Sequence, residues 1–368
     1  MTGRLPPARG TILAVRPDGM GDVLLSGPAV RALAAAGRGV SYLAGPRGRE
    51  AARLLPGVTD VLTWQVPWID PDPQPVAPDT VTAVAARLRQ REFSEAVIFT
   101  SFHQSPLPTA LLLRLAGIRR ISAISSDYPG SLLDVRHQLD VDVPEAQRAL
   151  ALAGAAGFQL PAGDGGALAI RGPLPDTSGL TGPDPYVVLH PAASAPARAP
   201  SPDRAAAMAA ALTGAGHRVV VTGSAAERSL TAQVAGAGGR AAADLGGRTT
   251  LRQLAAVLAG AHVAVAPNTG AAHLAAAVGT PVVSLFAPVV AAARWRPYGV
   301  PAVLLGDARA GCAGTRARVC PVPGHPCLDQ IDPAAVAEAV ATLSGNGAQG
   351  GRPGTAPPSA PRHAEVRA

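Results

Sequence analysis

Short apolar runs recur along the chain between longer Ala- and Leu-rich stretches of helical spacing, and glycines, prolines and polar residues separate them. The first run, Thr11 to Arg16, predicts a strand; Pro17-Asp18-Gly19-Met20-Gly21-Asp22 predicts a glycine-rich turn, and Val23 to Ala36 a helix. Gly39 to Leu43 and Asp60 to Thr63 read as the next strands, with a helix from Arg47 to Leu55 between them. Trp64 to Pro73 contains Pro67, Pro71 and Pro73, so it reads as a loop and not as a continued strand. The pattern then predicts a helix over Thr80 to Arg91, a strand over Ala96 to Thr100, a helix over Pro106 to Ala116, a strand over Arg120 to Ile124 and a helix over Glu145 to Ala156.

Gly163 to Asp184, rich in Gly, Pro and Asp, predicts an interdomain linker. A second alternating run follows: strand Tyr186 to His190, helix Asp203 to Thr213, strand Arg218 to Thr222 and helix Ala225 to Ala235. Helix Thr250 to Ala259, strand His262 to Ala266, helix Ala271 to Val278 and strand Pro281 to Phe286 complete it. Strands alternating with helices predict an α/β protein with parallel, doubly wound sheets. The expected domains span residues 10–170 and 184–340, and the Gly/Pro/Arg composition of 345–368 predicts a disordered tail. Two such domains leave a cleft between the carboxyl ends of their sheets, where ligands of these folds bind.

Composition narrows the class of partner. The 368 residues are 48% hydrophobic, enough for two cores, but only 3% aromatic, so Ala, Leu and Val must fill them. All 32 basic residues are arginine, and the formal charge of +7 points to an acidic partner: a nucleotide, a phosphorylated glycan or an anionic membrane surface. No arginine-rich helix with interleaved aromatics is present, so nucleic acid is not expected. Three cysteines gathered near the C-terminus cannot all pair, which argues against a secreted disulfide framework. Arg16, Pro17 and Asp18 interrupt the first apolar run, and no stretch reads as a membrane span. The expectation is a cytoplasmic protein, with peripheral contact at the inner membrane face as its reach toward lipid.

Candidate chemistry lies where strands end. After the run ending at Ala266, Pro267-Asn268-Thr269-Gly270 opens an Ala-rich helix carrying His273 one turn in. A helix start offers unpaired N–H groups and partial positive charge, suited to a diphosphate, with His273 adding a hydrogen bond. Asn268 or Thr269 can equally serve only as a helix cap, and His273 as a half-buried helix residue. In the first loop, Gly19 and Gly21 permit close approach of a ligand, and Asp22 can take a proton from an incoming hydroxyl or simply cap its helix. Ser194 and Arg198 follow the strand ending at His190, and suit a diphosphate. Glu227, after the strand ending at Thr222, can accept hydrogen bonds from ribose hydroxyls. Taken singly, Arg198 and Glu227 also read as solvated surface.

These residues together resemble glycosyltransferase family 9, the ADP-heptose:lipopolysaccharide heptosyltransferase family, over about residues 10 to 340. The likeness rests on Ile12-Leu13-Ala14-Val15-Arg16 with Asp18-Gly19-Met20-Gly21-Asp22-Val23-Leu24-Leu25 and Pro28-Ala29, and on His190-Pro191, Ala193-Ser194 and Pro196. It continues through Thr222-Gly223 with Glu227, Leu245-Gly246-Gly247, Thr269-Gly270, His273-Leu274-Ala275 and Leu285-Phe286. The resemblance implies a GT-B fold of two Rossmann-like domains, an acceptor held by the N-terminal domain, and a nucleotide-sugar donor, ADP-heptose, held by the C-terminal domain. It also implies inverting transfer without metal or other cofactor to a glycan, lipid-linked or small-molecule acceptor. Asp22 matches the family's catalytic base, and Ser194, Glu227, Thr269, Gly270 and His273 match donor-binding positions. The family usually has Asp where this chain has Asn268, at a position associated with a sugar hydroxyl. Arg198 stands for a phosphate-binding lysine, and Ala199-Pro200 replaces a neighbouring Arg-Trp.

Asp70-Pro71-Asp72 resembles an Asp-x-Asp metal motif, but its proline-rich loop argues against metal binding. Trp64 and Trp68 in that loop either contact the acceptor or pack ordinarily. Cys312, Cys320, His325 and Cys327 have spacing that can hold zinc, and reduced structural thiols are the favoured reading. Two rivals to transfer are a nucleotide-sugar epimerase of similar architecture and a catalytically inactive nucleotide-sugar-binding protein; Asn268 and the altered loop after Ser194 motivate the second.

Overall fold

In a computed structural model of the chain, residues 10–139 and 142–348 are described. Ile12–Arg16 (β1) leads into two short helices, Met20–Leu25 (α1) and Gly27–Ala34 (α2). Then come Val40–Ala44 (β2), Arg49–Leu54 (α3), Val58–Thr63 (β3), Pro78–Arg89 (α4), Glu95–Ile98 (β4), Leu107–Leu115 (α5), Arg120–Ile124 (β5), Val135–His137 (β6) and Glu145–Ala155 (α6). The second run is Ser178–Thr181 (α7), Val187–Leu189 (β7), Pro202–Gly214 (α8), Val219–Val221 (β8), Arg228–Gly238 (α9), Ala242–Asp244 (β9) and Leu251–Ala259 (α10). It closes with Ala264–Pro267 (β10), Gly270–Ala277 (α11), Val282–Leu285 (β11), Ala292–Trp295 (α12), Ala302–Leu305 (β12), Pro326–Asp329 (α13) and Pro333–Ala348 (α14).

The strands form two six-stranded sheets, ordered β3-β2-β1-β4-β5-β6 and β12-β11-β10-β7-β8-β9. Every pairing is parallel; Ile12 of β1, for instance, sits between Val40 and Glu95. Renumbered from its own first strand, the second sheet repeats the order of the first, so both chains of strands reverse direction at the same place. Those switch points fall between β1 and β4 and between β7 and β10.

Helices cover both faces of each sheet, which is why the central strands are apolar throughout and not alternating. Successive side chains of a strand still part to opposite faces. Ile12 and Ala14 join one core, whereas Leu13 and Val15 join another under α4 and α5. Val188, Val220 and Ala264 of the second sheet belong to the same continuous core as Ile12, so a single apolar mass runs between the two halves. Leu25, Ala146, Leu168, Ala276 and Ala277 extend that contact between α1, α6 and α11.

The structure corrects the sequence reading in five places. Three edge strands were not anticipated: β6 (Val-Arg-His) and β9 (Ala-Ala-Asp) lack a β-branched run, and β12 is half-exposed along its length. The single helix expected over Val23 to Ala36 is two, because Pro28 has no N–H to give to the turn before it. Ser26 fills the break, its hydroxyl bonding the Val23 carbonyl and the buried Tyr42 hydroxyl, each at 2.7 Å. At the C-terminus α14 runs past Gly345, where the tail was expected to begin, and the rest of the segment 345–368 lies outside the described residues.

Candidate functional site

The loops that leave the two switch points converge on one cleft of about 590 Å³. The loop after β1 contributes Asp18 and Gly19, the start of α1 contributes Gly21 and Asp22, and the loop after β4 contributes Ser101, His103 and Gln104. From the second sheet, the loop after β7 contributes Ser194 and Arg198, and the start of α11 contributes Asn268, Thr269, Gly270 and His273. Nine of the eleven expected site residues therefore share one wall-to-wall space: Gly19, Gly21, Asp22, Ser194, Arg198, Asn268, Thr269, Gly270 and His273.

Trp68 and Glu227 do not line it. Each follows a strand away from a switch point, β3 at one sheet edge and β8 beside β9. The Trp68 indole N–H donates to Thr109 Oγ1 at 2.9 Å, and the ring packs edge-on against Trp64 with centroids 5.2 Å apart. Ile69 and Pro71 of the same loop do reach the cleft. Glu227 closes a capping box with Ser224, accepting its N–H at 2.6 Å, and stands near the half-buried His190 at the strand ends.

The first switch point is acidic and tightly paired. Arg16 ends β1 with a side chain only 4% exposed; its Nε meets Asp18 Oδ2 at 2.8 Å and its Nη2 meets Asp22 Oδ1 at 2.9 Å. The same Nη2 donates to Ser101 Oγ at 2.8 Å and faces Glu145 Oε2 of α6 at 3.6 Å. Asp18 also accepts from Gln104 Nε2 at 2.6 Å. Burial pushes the Glu145 carboxyl above the usual carboxylate range, against the pull of Arg16. Asp22 occupies the first turn of α1 and not its cap, which is Gly19, and its carboxylate is the more open of the set at 28% exposure.

The second switch point is cationic and under-bonded. Thr269 sits at the N-cap of α11 but makes no capping hydrogen bond, so the first N–H groups of the helix have no side-chain partner. By contrast Thr250 caps α10 and Ser201 caps α8 through their hydroxyls. Asn268 does not cap either: its Oδ1 accepts from the Ala287 N–H at 3.4 Å and its Nδ2 is buried without a partner. Burial lowers His273 to about 4, so the imidazole is neutral at physiological pH, and its Nδ1 is also buried and unpartnered. Positive charge comes instead from Arg198, Arg316 and Arg318.

The two loops touch. A Cβ built on Gly21 would stand 2.8 Å from His273 Cδ2 and 3.4 Å from Gly270 Cα, and one on Gly270 would collide with Met20 Cε. The absence of side chains at both positions lets the start of α1 lie against the start of α11, most tightly at Gly21. Across the mouth of the cleft Arg294 covers the Phe102 ring at 4.2 Å and pairs with Asp142 and, at 3.9 Å, Glu145, while Arg316 meets His103.

Arg47, Ser101, His103, Gln104, Glu145, Trp295, Arg316 and Arg318 were not among the expected site residues, though most line the cleft. Position after a strand end was the available signal for Ser101, His103 and Gln104. The thiols at Cys312, Cys320 and Cys327 are free, and burial among one another pushes Cys327 up to about 12. Among the described residues no group of three or more His, Cys, Asp or Glu is arranged to hold a metal ion. Asp70 turns back on its own loop, accepting from the Asp72 N–H at 2.9 Å.

Two doubly wound parallel domains whose switch points face each other across one cleft form the GT-B architecture of glycosyltransferases. The sequence profile described as Glycosyltransferase family 9 (heptosyltransferase) matches residues 81–325, more than half of the chain, and the chain belongs to that family. Similar solved structures include Escherichia coli ADP-heptose lps heptosyltransferase II, at 20% identity and a TM-score of 0.69, covering 92% of this chain and 99% of that one. A family 9 glycosyl transferase from Veillonella parvula matches at 16% identity and a TM-score of 0.72, over 92% and 98%. The E. coli heptosyltransferase WaaC with ADP matches at 18% identity and a TM-score of 0.67, over 90% and 99%. At these identities the likeness shows the fold. A search of curated protein sequences finds no significant match. No helix among the described residues is long and apolar enough to cross a membrane.

Proposed function

We propose that this glycosyltransferase moves a heptose-like sugar from a nucleoside diphosphate donor, ADP-heptose, to a hydroxyl of a glycan, lipid-linked or small-molecule acceptor, with inversion and without a metal ion. The observation that carries the reading is the placement of one open carboxylate, Asp22, against an uncapped helix start, a neutral buried His273 and Arg198 in a single cleft. The donor is held by the C-terminal domain and the acceptor by the N-terminal domain.

In this reading Asp22 takes the proton of the acceptor hydroxyl as its oxygen attacks the anomeric carbon, and the nucleoside diphosphate departs from the opposite face. Charge growing on the leaving phosphate meets the N–H groups at Thr269-Gly270, a hydrogen bond from neutral His273, and the Arg198 guanidinium. That set does electrostatically what a divalent cation does elsewhere. Ser194 contacts the diphosphate. Asn268 turns a donor amide toward the sugar where the family usually has a carboxylate, which favours a sugar presenting an acceptor oxygen there. Glu227 keeps one carboxylate oxygen for the donor's ribose, and Trp68 braces the acceptor-side loop by packing. A nucleotide-activated donor places the reaction in the cytoplasm, and the charge of +7 suits peripheral contact with an anionic inner membrane face.

The test follows ADP release from ADP-heptose, with water or an added sugar as acceptor, in the wild type and in Asp22→Asn. Loss of a positioned base lowers turnover by about 10² to 10⁴-fold. Unchanged turnover in Asp22→Asn removes the mechanism. Conversion of the donor to another nucleotide sugar without ADP release makes the protein an epimerase.

A further inference from the structure

Arg16 is a charged side chain only 4% exposed, faced by three carboxylates. Asp18 and Asp22 reach it from the loop after β1 and from α1, and Glu145 from α6. Ser101 from the loop after β4 completes the shell. A guanidinium is a planar fork that fixes the direction of each acceptor it binds, which an ammonium does not. Here the directed bonds run from Nη2 to Asp22 Oδ1 and to Ser101 Oγ, while Nε stands 2.8 Å from Asp18 Oδ2 as an ion pair without hydrogen-bond geometry.

Asp22 meets Arg16 through Oδ1 and lines the cleft. Glu145 is the stranger member. It is 3% exposed, both its oxygens lack a hydrogen bond, and it lies between Arg16 at 3.6 Å and Arg294 at 3.9 Å. Arg294 belongs to α12 of the other domain. The groups facing this cluster from other elements are Tyr42 on β2, Arg47 ahead of α3, His103 after β4, Arg148 on α6, His273 on α11, and Arg198 and Arg316 beyond Asp22.

We propose that Arg16 is a positioning residue for the transfer reaction: its guanidinium fixes the orientation of the Asp22 carboxylate, and Glu145 ties that placement to the seating of Arg294 from the second domain. When the domains are together, Glu145 is shared between two arginines and Arg16 is free to hold Asp22. When Arg294 is withdrawn, Glu145 has Arg16 as its nearest remaining cation and competes with Asp22 for it. The base is thus held ready only in the closed molecule. This inference rests on the role given to Asp22 above, so its test has a readout that needs no turnover.

The experiment is carbon NMR at one fixed pH of protein labelled at aspartate side-chain carboxyls, with the Asp22 resonance assigned from Asp22→Asn. Arg16→Met shifts and broadens the Asp22 resonance, because the carboxylate loses the guanidinium that orients it. Arg16→Lys keeps the charge but not the fork, so the resonance broadens as well and turnover falls about 10²-fold through lost orientation. Arg294→Met changes the resonance in the same direction as Arg16→Met by a smaller amount, and Glu145→Gln cancels that change. A resonance unchanged in Arg16→Met overturns the proposal, and so does full turnover in Arg16→Lys. If Arg16→Met does not fold, Arg16→Lys and the Arg294→Met and Glu145→Gln pair decide. Failure of the wild type to release ADP, with the resonance changing as stated, instead overturns the functional reading and leaves the ionic arrangement standing.

Discussion

The two halves of the molecule share one strand order and differ in what they place at its reversal. In the first, charge faces charge: Arg16 is shared among Asp18, Asp22, Ser101 and Glu145, and Asp22 is the most open of the three carboxylates. In the second, no carboxylate among the described residues of its own domain faces the start of α11: Thr269 makes no capping bond, Asn268 Nδ2 and His273 Nδ1 are buried without partners, and three arginines stand nearby. An ion-paired loop holds a base in place. A helix start beside arginines waits for an anion that supplies the missing hydrogen bonds. The same topology therefore gives the location twice, and the loop residues decide which partner each half takes.

The largest effect that sharpens this contrast is on pH stability. His273 is buried and neutral, held at about 4, against about 6.5 for an unfolded histidine. Between those values the unfolded chain binds more protons than the folded one, so stability rises with pH through the window and is lost as pH falls from 6.5 toward 4. His273 alone contributes about 3 kcal/mol to that loss, and His273→Gln flattens it. Urea titrations of both proteins at pH 7 and pH 4.5 check this; equal slopes would mean that His273 is not the group responsible.

A smaller effect concerns the contact between the halves. Gly21→Ala puts a methyl 2.8 Å from His273 Cδ2. Overpacking at that point costs about 1–3 kcal/mol and pushes α1 off α11, so thermal stability and donor turnover fall together. An alanine there with wild-type melting and turnover would show that the two loops do not need their close approach.

Much of this was legible beforehand for a physical reason. The central strands are apolar on both faces, so Thr11 to Arg16 and His262 to Ala266 stand out from any surroundings, and the glycine-rich turns after them mark strand ends. The edge strands β6, β9 and β12 lack that signal because one side of each meets solvent. The helix break at Ser26 hid behind an otherwise continuous apolar pattern, although Pro28 announced it. Site residues that follow β1, β7 and β10 could be read from local motifs. Trp68 and Glu227 follow β3 and β8, away from the switch points, and strand order, which sets that distance, is a long-range property that no local motif carries. Glu145 and Arg294 were invisible for the converse reason, since neither lies in a glycine-rich turn and only the folded molecule brings them to Arg16.

The division of labour between the two halves is tested most directly by calorimetric titration of ADP into the wild type, Asp22→Asn and Arg198→Ala, each with and without magnesium. The account predicts magnesium-independent binding, an affinity in Asp22→Asn within about twofold of the wild type, and about tenfold or weaker binding in Arg198→Ala from loss of a charged hydrogen bond. Equal loss in both variants, or none in Arg198→Ala, would contradict it, because the nucleotide would then not be held by the second half alone.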